Sequence, residues 1–280
     1  MNSDLVTIIS PRRGWLDLDL LRLWQYRDLV LLFAMRDIKV RYTQTLLGPA
    51  WLVIQPLALM VVLTGVGRAA DISTGGQPAP LFYLAALVLW SYFSQVVLTT
   101  SQVFIVNSQL FSKVYFPRIV VPISSLLSNG VALLIQFGLA VAFLVWYQWT
   151  GTLDGLSWRI ALFPLVVIQL AAYAFAIGLC LGASTAKYRD LSHMTPFLIQ
   201  IWMFITPIIF PFSAIPETYR TLTGLLNPLA VIVEQGRWCF FGVSSLDTAA
   251  ILSSLAMTTI LLMAGILVFQ RVERKAMDTV

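Results

Sequence analysis

The chain has 280 residues, of which 59% are hydrophobic and only 11% charged, with a mean hydropathy of +0.83 and a formal net charge of +5. Such a chain cannot cover itself with polar surface, which excludes an ordinary soluble domain, where roughly 25% of residues are charged; it also excludes disorder, which needs high charge and low hydrophobicity. Its main solvent is therefore lipid, and the positive charge is not read as a footprint for nucleic acid.

At the start of the chain, Asp4, Arg12, Arg13, Asp17 and Asp19 interrupt any continuous apolar stretch, so no signal peptide is read there. The membrane segments themselves are expected to target the protein. The first structured segment is built around the apolar run Leu29–Met35, preceded by Arg22, Arg27 and Asp28 and followed by Arg36, Asp37, Lys39 and Arg41. Seven apolar residues cannot span a bilayer, but with Trp24 and Tyr26 they suit an amphipathic helix at headgroup level. Asp37 and Arg41, spaced i,i+4, add weak helical support. The segment reads equally as a plain interfacial anchor and as a docking helix.

Charges are so sparse beyond this point that the gaps between them define the spans. Residues 42–67, 72–112, 119–153, 160–186, 191–216 and 248–270 contain no Asp, Glu, Lys or Arg. Each gap exceeds the ~20 residues that a helix needs to cross the hydrocarbon core. Six transmembrane helices are expected, at about 47–67, 81–106, 120–147, 160–184, 196–212 and 248–270. The chain then divides into a cytoplasmic N-terminus (1–46), a transmembrane domain (47–270) and a short tail (271–280). The fold class is an all-α integral membrane protein, because backbone groups in lipid must be satisfied within each segment and these segments are too long for barrel strands.

Alternate loops are strongly asymmetric in basic residues. The side holding both termini has 14 Lys and Arg, and the other side has Arg68, Arg159, Arg220 and Arg237. The positive-inside rule places both termini in the cytoplasm. On the outer side, Phe82, Tyr83, Trp146, Tyr147, Trp149 and Trp158 read as an interfacial aromatic belt.

Two loops carry helices of their own. In the inner loop Asn107–Arg118, Asn107 is placed to cap a short helix, with Leu110, Phe111, Val114 and Tyr115 at helical spacing and Pro117 as the stop. Lys113 and Arg118 make it basic. The last outer loop, about 213–247, is apolar and contains Pro216 and the pair Asn227–Pro228, a strong start signal for a helix running to about Phe241. Two short helices that cannot span predict an interfacial or re-entrant hairpin, a candidate gate. Within it, Glu234 and Arg237 are spaced to pair with each other.

Several chemistries are missing. No Gly is followed by Lys, so there is no P-loop, and the single histidine, His193, excludes a multi-His metal site. Cys180 and Cys239 form no disulfide framework. No charged residue lies within a span, which argues against ion-coupled transport. Ser184 with His193 is a weak alternative for a membrane-embedded enzyme acting on lipid-linked glycans. The spans do hold Trp51, Gln55, Trp90, Tyr92, Gln95, Trp202 and Phe204. Of these, Trp51, Gln55, Tyr92, Trp202 and Phe204 are candidate residues of a path on which sugar rings stack without being gripped. Gly178 and Gly182 form a small-xxx-small packing motif, and prolines follow Thr195 and Thr206 around the fifth span.

The stretch Met35-Arg36-Asp37-Ile38-Lys39-Val40-Arg41-Tyr42, with Thr45, Leu47-Gly48, Trp51 and Gln55-Pro56 after it, resembles the entry to the first span of type-2 ABC exporter permeases of the O-antigen, capsule and teichoic-acid branch. The likeness continues through Asn107–Pro122, Tyr188-Arg189-Asp190-Leu191, Thr206-Pro207 with Phe210-Pro211, and Leu226-Asn227-Pro228-Leu229 to Arg237-Trp238. The resemblance implies a homodimer driven by two copies of a separate P-loop ATPase, which binds the ATP and magnesium, so that this chain itself needs no cofactor. It implies a polymer carried on polyprenyl pyrophosphate or another lipid as the exported substrate, across a bacterial inner membrane. It maps an N-terminal interface helix to about Leu20–Gln44 and a coupling helix to Asn107–Phe116. Asn107, Leu110, Phe111, Lys113, Tyr115, Arg36 and Arg41 are then expected to serve the ATPase. Outer gate helices map to about Pro216–Phe241, with Pro216, Asn227, Pro228, Glu234 and Arg237 as gate residues. The neighbouring alternative is a type-2 ABC permease for a lipid or a drug.

Overall fold

The computed structural model describes residues 24–43, 45–114, 116–153, 158–243 and 246–277, and every regular element among them is helical. Helix α1 (Arg27–Tyr42) is followed by a short 3-10 turn at Gly48–Ala50 that leads into α2 (Trp51–Ala69). Next come α3 (Ala79–Ser101), a single turn at Val103–Val106, and α4 (Ser108–Lys113). The remainder is α5 (Val120–Trp149), α6 (Phe163–Lys187), α7 (Leu191–Ile205), α8 (Glu217–Leu226), α9 (Pro228–Phe241) and α10 (Thr248–Met277). Five helical segments among the described residues are long and apolar enough to cross a membrane, based on α2, α3, α5, α6 and α10. The shortest, 22 residues including its opening turn, reaches about 33 Å at ~1.5 Å per residue, enough for a ~30 Å core.

Helix α3 is the centre of the bundle: 78% of its apolar window is buried, against 17% to 44% for the other four. A helix that is apolar on all sides can be surrounded on all sides. The others leave one face outward, with Val61 and Val62 on α2, Leu134 on α5 and Ile168 on α6 exposed, as a lipid solvent permits. Lipid tails are as apolar as leucine, so association must come from close packing and from polar contacts between helices. Both are present where α6 meets α3. A Cβ added at Gly178 would lie 2.6 Å from the Thr100 Cβ, and one at Gly182 would lie 2.9 Å from the Thr100 carbonyl oxygen. The Gly178/Gly182 motif is thus an internal seam. Around it the Thr185 hydroxyl donates to the Ser101 carbonyl (2.6 Å), Thr100 and Ser125 share a hydroxyl bond (3.1 Å), and Gln169 donates to Ser254 (3.0 Å).

These contacts also set helix direction. Thr100 faces Gly178 and Ser101 faces Thr185, so α3 and α6 run parallel; Gln169 facing Ser254, and Ala176 facing Gly265, make α6 and α10 parallel too. Thr99 meets Asn129 and Thr100 meets Ser125, so α5 runs antiparallel to them.

Several expectations need correction. Phe82 and Tyr83 are not part of an interfacial belt: they are 3% and 0% exposed, in the first turn of α3. Phe82 lies beneath the Arg237 guanidinium of α9, which covers this end of α3. Trp146, Trp149 and Trp158 do stand exposed. Asp37 does not reach Arg41; its carboxylate takes Arg36 instead, at 2.8 Å, while Arg41 donates to Asn129. Helix α1 buries only the stripe Val30, Phe33 and Ala34 and leaves Leu31, Leu32 and Met35 exposed, so its polar and apolar faces are less separated than expected. The expected span 196–212 is replaced by α7, which begins earlier and stops at Ile205, 15 residues in all. Pro207 is the reason: the residue before a proline is driven out of the helical region, and Thr206 is extended (φ −86°, ψ 140°).

Gly182→Ala is expected to cost about 1–3 kcal/mol, because the added carbon meets backbone rather than a movable side chain. Gly138→Ala, with nothing within 4 Å of the new carbon, is expected to be neutral or to stabilise by up to about 1 kcal/mol. Thermal unfolding of the purified protein in one detergent compares the two.

Candidate functional site

The first candidate region is a cavity of about 340 Å³ between α1, α2, α3 and α5, at the basic end of the bundle. Its aromatic lining residues are Tyr42, Trp51, Trp90 and Tyr92; its amides are Gln55, Gln95, Asn129 and Gln136; and among the described residues Arg41 is the one charged lining residue. The sequence places Pro56 inside α2, where the missing N–H leaves the carbonyl four residues earlier without its helical donor. That carbonyl is Leu52, and the side-chain amide of Gln136 donates to it at 3.1 Å. Asn129 is fixed by donating to the Ser125 carbonyl (2.8 Å) and to the Thr99 hydroxyl (3.3 Å), and its oxygen accepts Arg41 at 2.8 Å. Tyr92 is largely buried and its hydroxyl donates to the Leu126 carbonyl at 3.4 Å. The cavity thus presents ring faces and oriented amides with a single cation at its edge, a combination suited to many weak polar contacts.

Of the five expected path residues, Trp51, Gln55 and Tyr92 come together here, whereas Trp202 and Phe204 do not. The Trp202 indole donates to Asn227 (3.1 Å) and its ring meets Phe93 edge-on; Phe204 lies exposed on the far face of α7. Asn129 and Gln136 were missed by sequence reasoning. Their signal was present, as two amides seven residues apart in an otherwise apolar run, one helical face by spacing.

The second region closes the opposite end of the bundle. Asn227 precedes Pro228 at the start of α9 as expected, but its side chain does not cap that helix: it donates to Thr206 (3.2 Å) and accepts from Trp202. In α9, 11 of 14 residues are buried. Arg237 is 2% exposed and lies 3.6 Å from the Glu234 carboxylate, so the expected pair forms. Its guanidinium also donates to the carbonyls of Pro207 and Ile208, both at 2.7 Å, and lies 3.6 Å from the Phe82 ring centre. These carbonyls lie just past the end of α7, where no helical turn can serve them. Pro216 opens α8, in which Arg220 pairs with Glu217 at 3.5 Å.

The third region is the inner loop. Helix α4 is shorter than expected and ends at Lys113, which is exposed; Leu110 and Phe111 are half-buried. Asn107 precedes the helix, but its side chain donates back to the Val103 carbonyl (3.1 Å) and does not cap. Tyr115 lies outside the described residues. Arg36 stacks on Phe33 beside Asp37, whereas Arg41 is turned into the cavity. Ser184 donates its hydroxyl to the Cys180 carbonyl and His193 is exposed on the next helix, an arrangement with no nucleophile–base contact. Among the described residues no group of three or more His, Cys, Asp or Glu could hold a metal.

A family model described as ABC-2 type transporter matches residues 28–241, from α1 to the end of α9. The chain belongs to the ABC-2 type transporter family. It is a multi-pass membrane protein with the role of a permease subunit. This ABC-2 chain is 28% identical to the O-antigen export system permease protein RfbA of Myxococcus xanthus over 258 residues, covering 89% of this chain and 94% of that one. It is 26% identical to an RfbA of Klebsiella pneumoniae, covering 88% and 92%. It is 25% identical to the polysialic acid transport protein KpsM of Escherichia coli, covering 72% and 77%.

Arg237→Leu is expected to destabilise the permease by about 3–5 kcal/mol, since it removes the charge facing buried Glu234 and the donors to two carbonyls. Arg237→Lys restores the charge but not the planar fork, and is expected to fall between that variant and wild type. Unfolding midpoints of the three proteins give the order.

Proposed function

We propose that this permease exports a lipid-linked polysaccharide across a bacterial inner membrane, as a homodimer driven by two copies of a separate P-loop ATPase. The observation that carries this reading is the cavity in which Trp51, Trp90 and Tyr92 meet Gln55, Gln95 and Gln136. Sugar rings stack on aromatic faces, and their hydroxyls exchange hydrogen bonds with amides; a polymer that must move on needs sites that are weak and repeated. Arg41 at the edge adds an attractive charge for a phosphate-bearing lipid carrier. The curated relatives named for O-antigen export and polysialic acid transport support the same substrate class.

The proposed topology has six crossings, the fifth made by the 15-residue α7 together with the non-helical stretch 206–211 after it, whose Pro207 and Ile208 carbonyls Arg237 serves, and both termini lie in the cytoplasm. The parallel direction of α3, α6 and α10 supports it, because three helices of like polarity need returns between them. The 14-to-4 distribution of basic residues supports the orientation. Helices α8 and α9 then form the re-entrant gate hairpin at the outer end. The ATPase is proposed to dock on α1 and α4, because the chain lacks a P-loop and α4 is a short basic helix at the cytoplasmic end.

The test uses the permease co-purified with its ATPase and reconstituted with lipid-linked polymer. Trp51→Ala, Gln55→Ala and Tyr92→Ala are each expected to lower export about three- to tenfold with ATPase binding retained, given the ~1 kcal/mol scale of such contacts. Wild-type export rates in all three would overturn the assigned path. Phe111→Asp is expected to weaken ATPase binding and export together, because a charge on the packing face is costly to bury. ATP hydrolysis by the purified permease alone would overturn the proposed division of labour.

A further inference from the structure

At the cytoplasmic end a second apolar cluster forms apart from the main core and includes Phe33, Val103, Phe116, Val120 and Phe269. Five phenylalanines of this cluster and its edge make a continuous chain of ring contacts. Phe33 of α1 meets Phe116 at 5.7 Å, Phe116 meets Phe111 of α4 at 5.9 Å, Phe111 meets Phe104 at 6.0 Å, and Phe104 meets Phe269 of α10 at 4.8 Å. Beside it the Glu273 carboxylate of α10, 7% exposed, accepts the backbone N–H of Arg118 at 3.1 Å. The Arg118 guanidinium covers the Phe111 ring at 5.4 Å.

The position of Glu273 has a physical cause. Helix α5 begins at Val120 with Ile119 as its N-cap residue, which has no side-chain acceptor to offer. A carboxylate at the positive end of a long helix is favoured by the helix dipole and satisfies an N–H of the turn that leads into it. Here the carboxylate is supplied by a different helix, so the α4–α5 turn is tied to the end of α10. At its other end α10 holds the gate hairpin. A Cβ on Gly224 of α8 would lie 2.8 Å from the Ala250 carbonyl oxygen, and the Ser254 hydroxyl donates to the Pro228 carbonyl at the start of α9 (3.3 Å). One helix of 30 residues therefore touches the gate at one end and, at the other, the turns on either side of the coupling helix, at Phe104 and Arg118.

We propose that Glu273 and Phe269 are positioning residues that lock the turns on either side of α4 to α10, so that movement imposed on α4 is delivered through those turns and along α10 to the α8–α9 hairpin. The inference rests on the docking of an ATPase at α4, as read above. Rigid elements with two discrete arrangements carry coupling between distant sites, and α10 has contacts both beside α4 and at the hairpin.

The test compares wild type with Glu273→Ala, Glu273→Gln and Phe269→Leu. Hydrogen–deuterium exchange of the peptide containing Arg118, in the permease alone, reads the lock. Glu273→Ala is expected to speed it about tenfold or more, the loss of one charge-assisted bond, while Glu273→Gln keeps an acceptor oxygen and stays near wild type. Polymer exported per ATP hydrolysed, in the reconstituted complex, reads the transmission. Glu273→Ala is expected to lower this ratio about tenfold with ATP turnover retained, Phe269→Leu to lower it about threefold, and Glu273→Gln to restore it. Unchanged Arg118 exchange in Glu273→Ala overturns the lock, and export falling in parallel with ATP turnover in all three variants overturns the transmission. A wild-type permease that retains no ATPase overturns the docking at α4 instead, and the exchange measurement, which needs no partner, tells the two failures apart.

Discussion

A carbonyl or amide facing hydrocarbon has no water to turn to, so every break in a membrane helix must be repaired by another part of the protein. That constraint organises this structure at three places. Pro56 leaves the Leu52 carbonyl without a helical donor, and Gln136 supplies one from α5. Pro207 ends α7, and Arg237 supplies donors for the carbonyls of Pro207 and Ile208 from α9. The turn at Pro117 opens α5 without a capping side chain, and Glu273 supplies the acceptor from α10. In each case the repair crosses from one helix to another, so satisfying the backbone also ties the bundle together.

The three repairs lie where the chain does something other than cross. The first borders the aromatic cavity, the second holds the end of α7 against the buried helix α9, and the third joins the inner loop to α10. Departures from regular helix are concentrated beside candidate functional regions, since a cavity, a hairpin or a docking turn cannot be built from uninterrupted spans. Between them the bundle is held by close approach. Thr100 against Gly178 and Gly182 brings α3 and α6 together, and the remaining outward faces are left to lipid.

Charge is handled with the same economy. No described span carries an ionic group in its middle, and Arg237, the most deeply buried cation among the described residues, has a carboxylate, two close carbonyls and a ring face around it. The cavity near α1 relies instead on neutral amides and aromatic faces, with Arg41 held at its edge by Asn129. A neutral, oriented wall gives contacts of modest strength, because amide hydrogen bonds exchange with water or sugar hydroxyls at small net cost.

Sequence alone determined that this is a helical membrane protein, where five long spans and the start of α9 fall, and the pairing of Glu234 with Arg237. The physical reason is local: span length, charge-free runs, proline positions and i,i+3 spacing act within one segment. It also marked Trp51, Gln55 and Tyr92, because polar and aromatic residues stand out in an apolar run. Tertiary structure alone decided that Phe82 and Tyr83 are core rather than belt, that Arg41 reaches Asn129 instead of Asp37, and that Trp202 serves Asn227 away from the cavity. Those outcomes depend on which helix covers which face. In lipid the hydrophobic pattern carries no such information, since an apolar side chain is equally at home against a tail or against another helix. The choice is made by small residues and polar side chains from segments far apart in the chain.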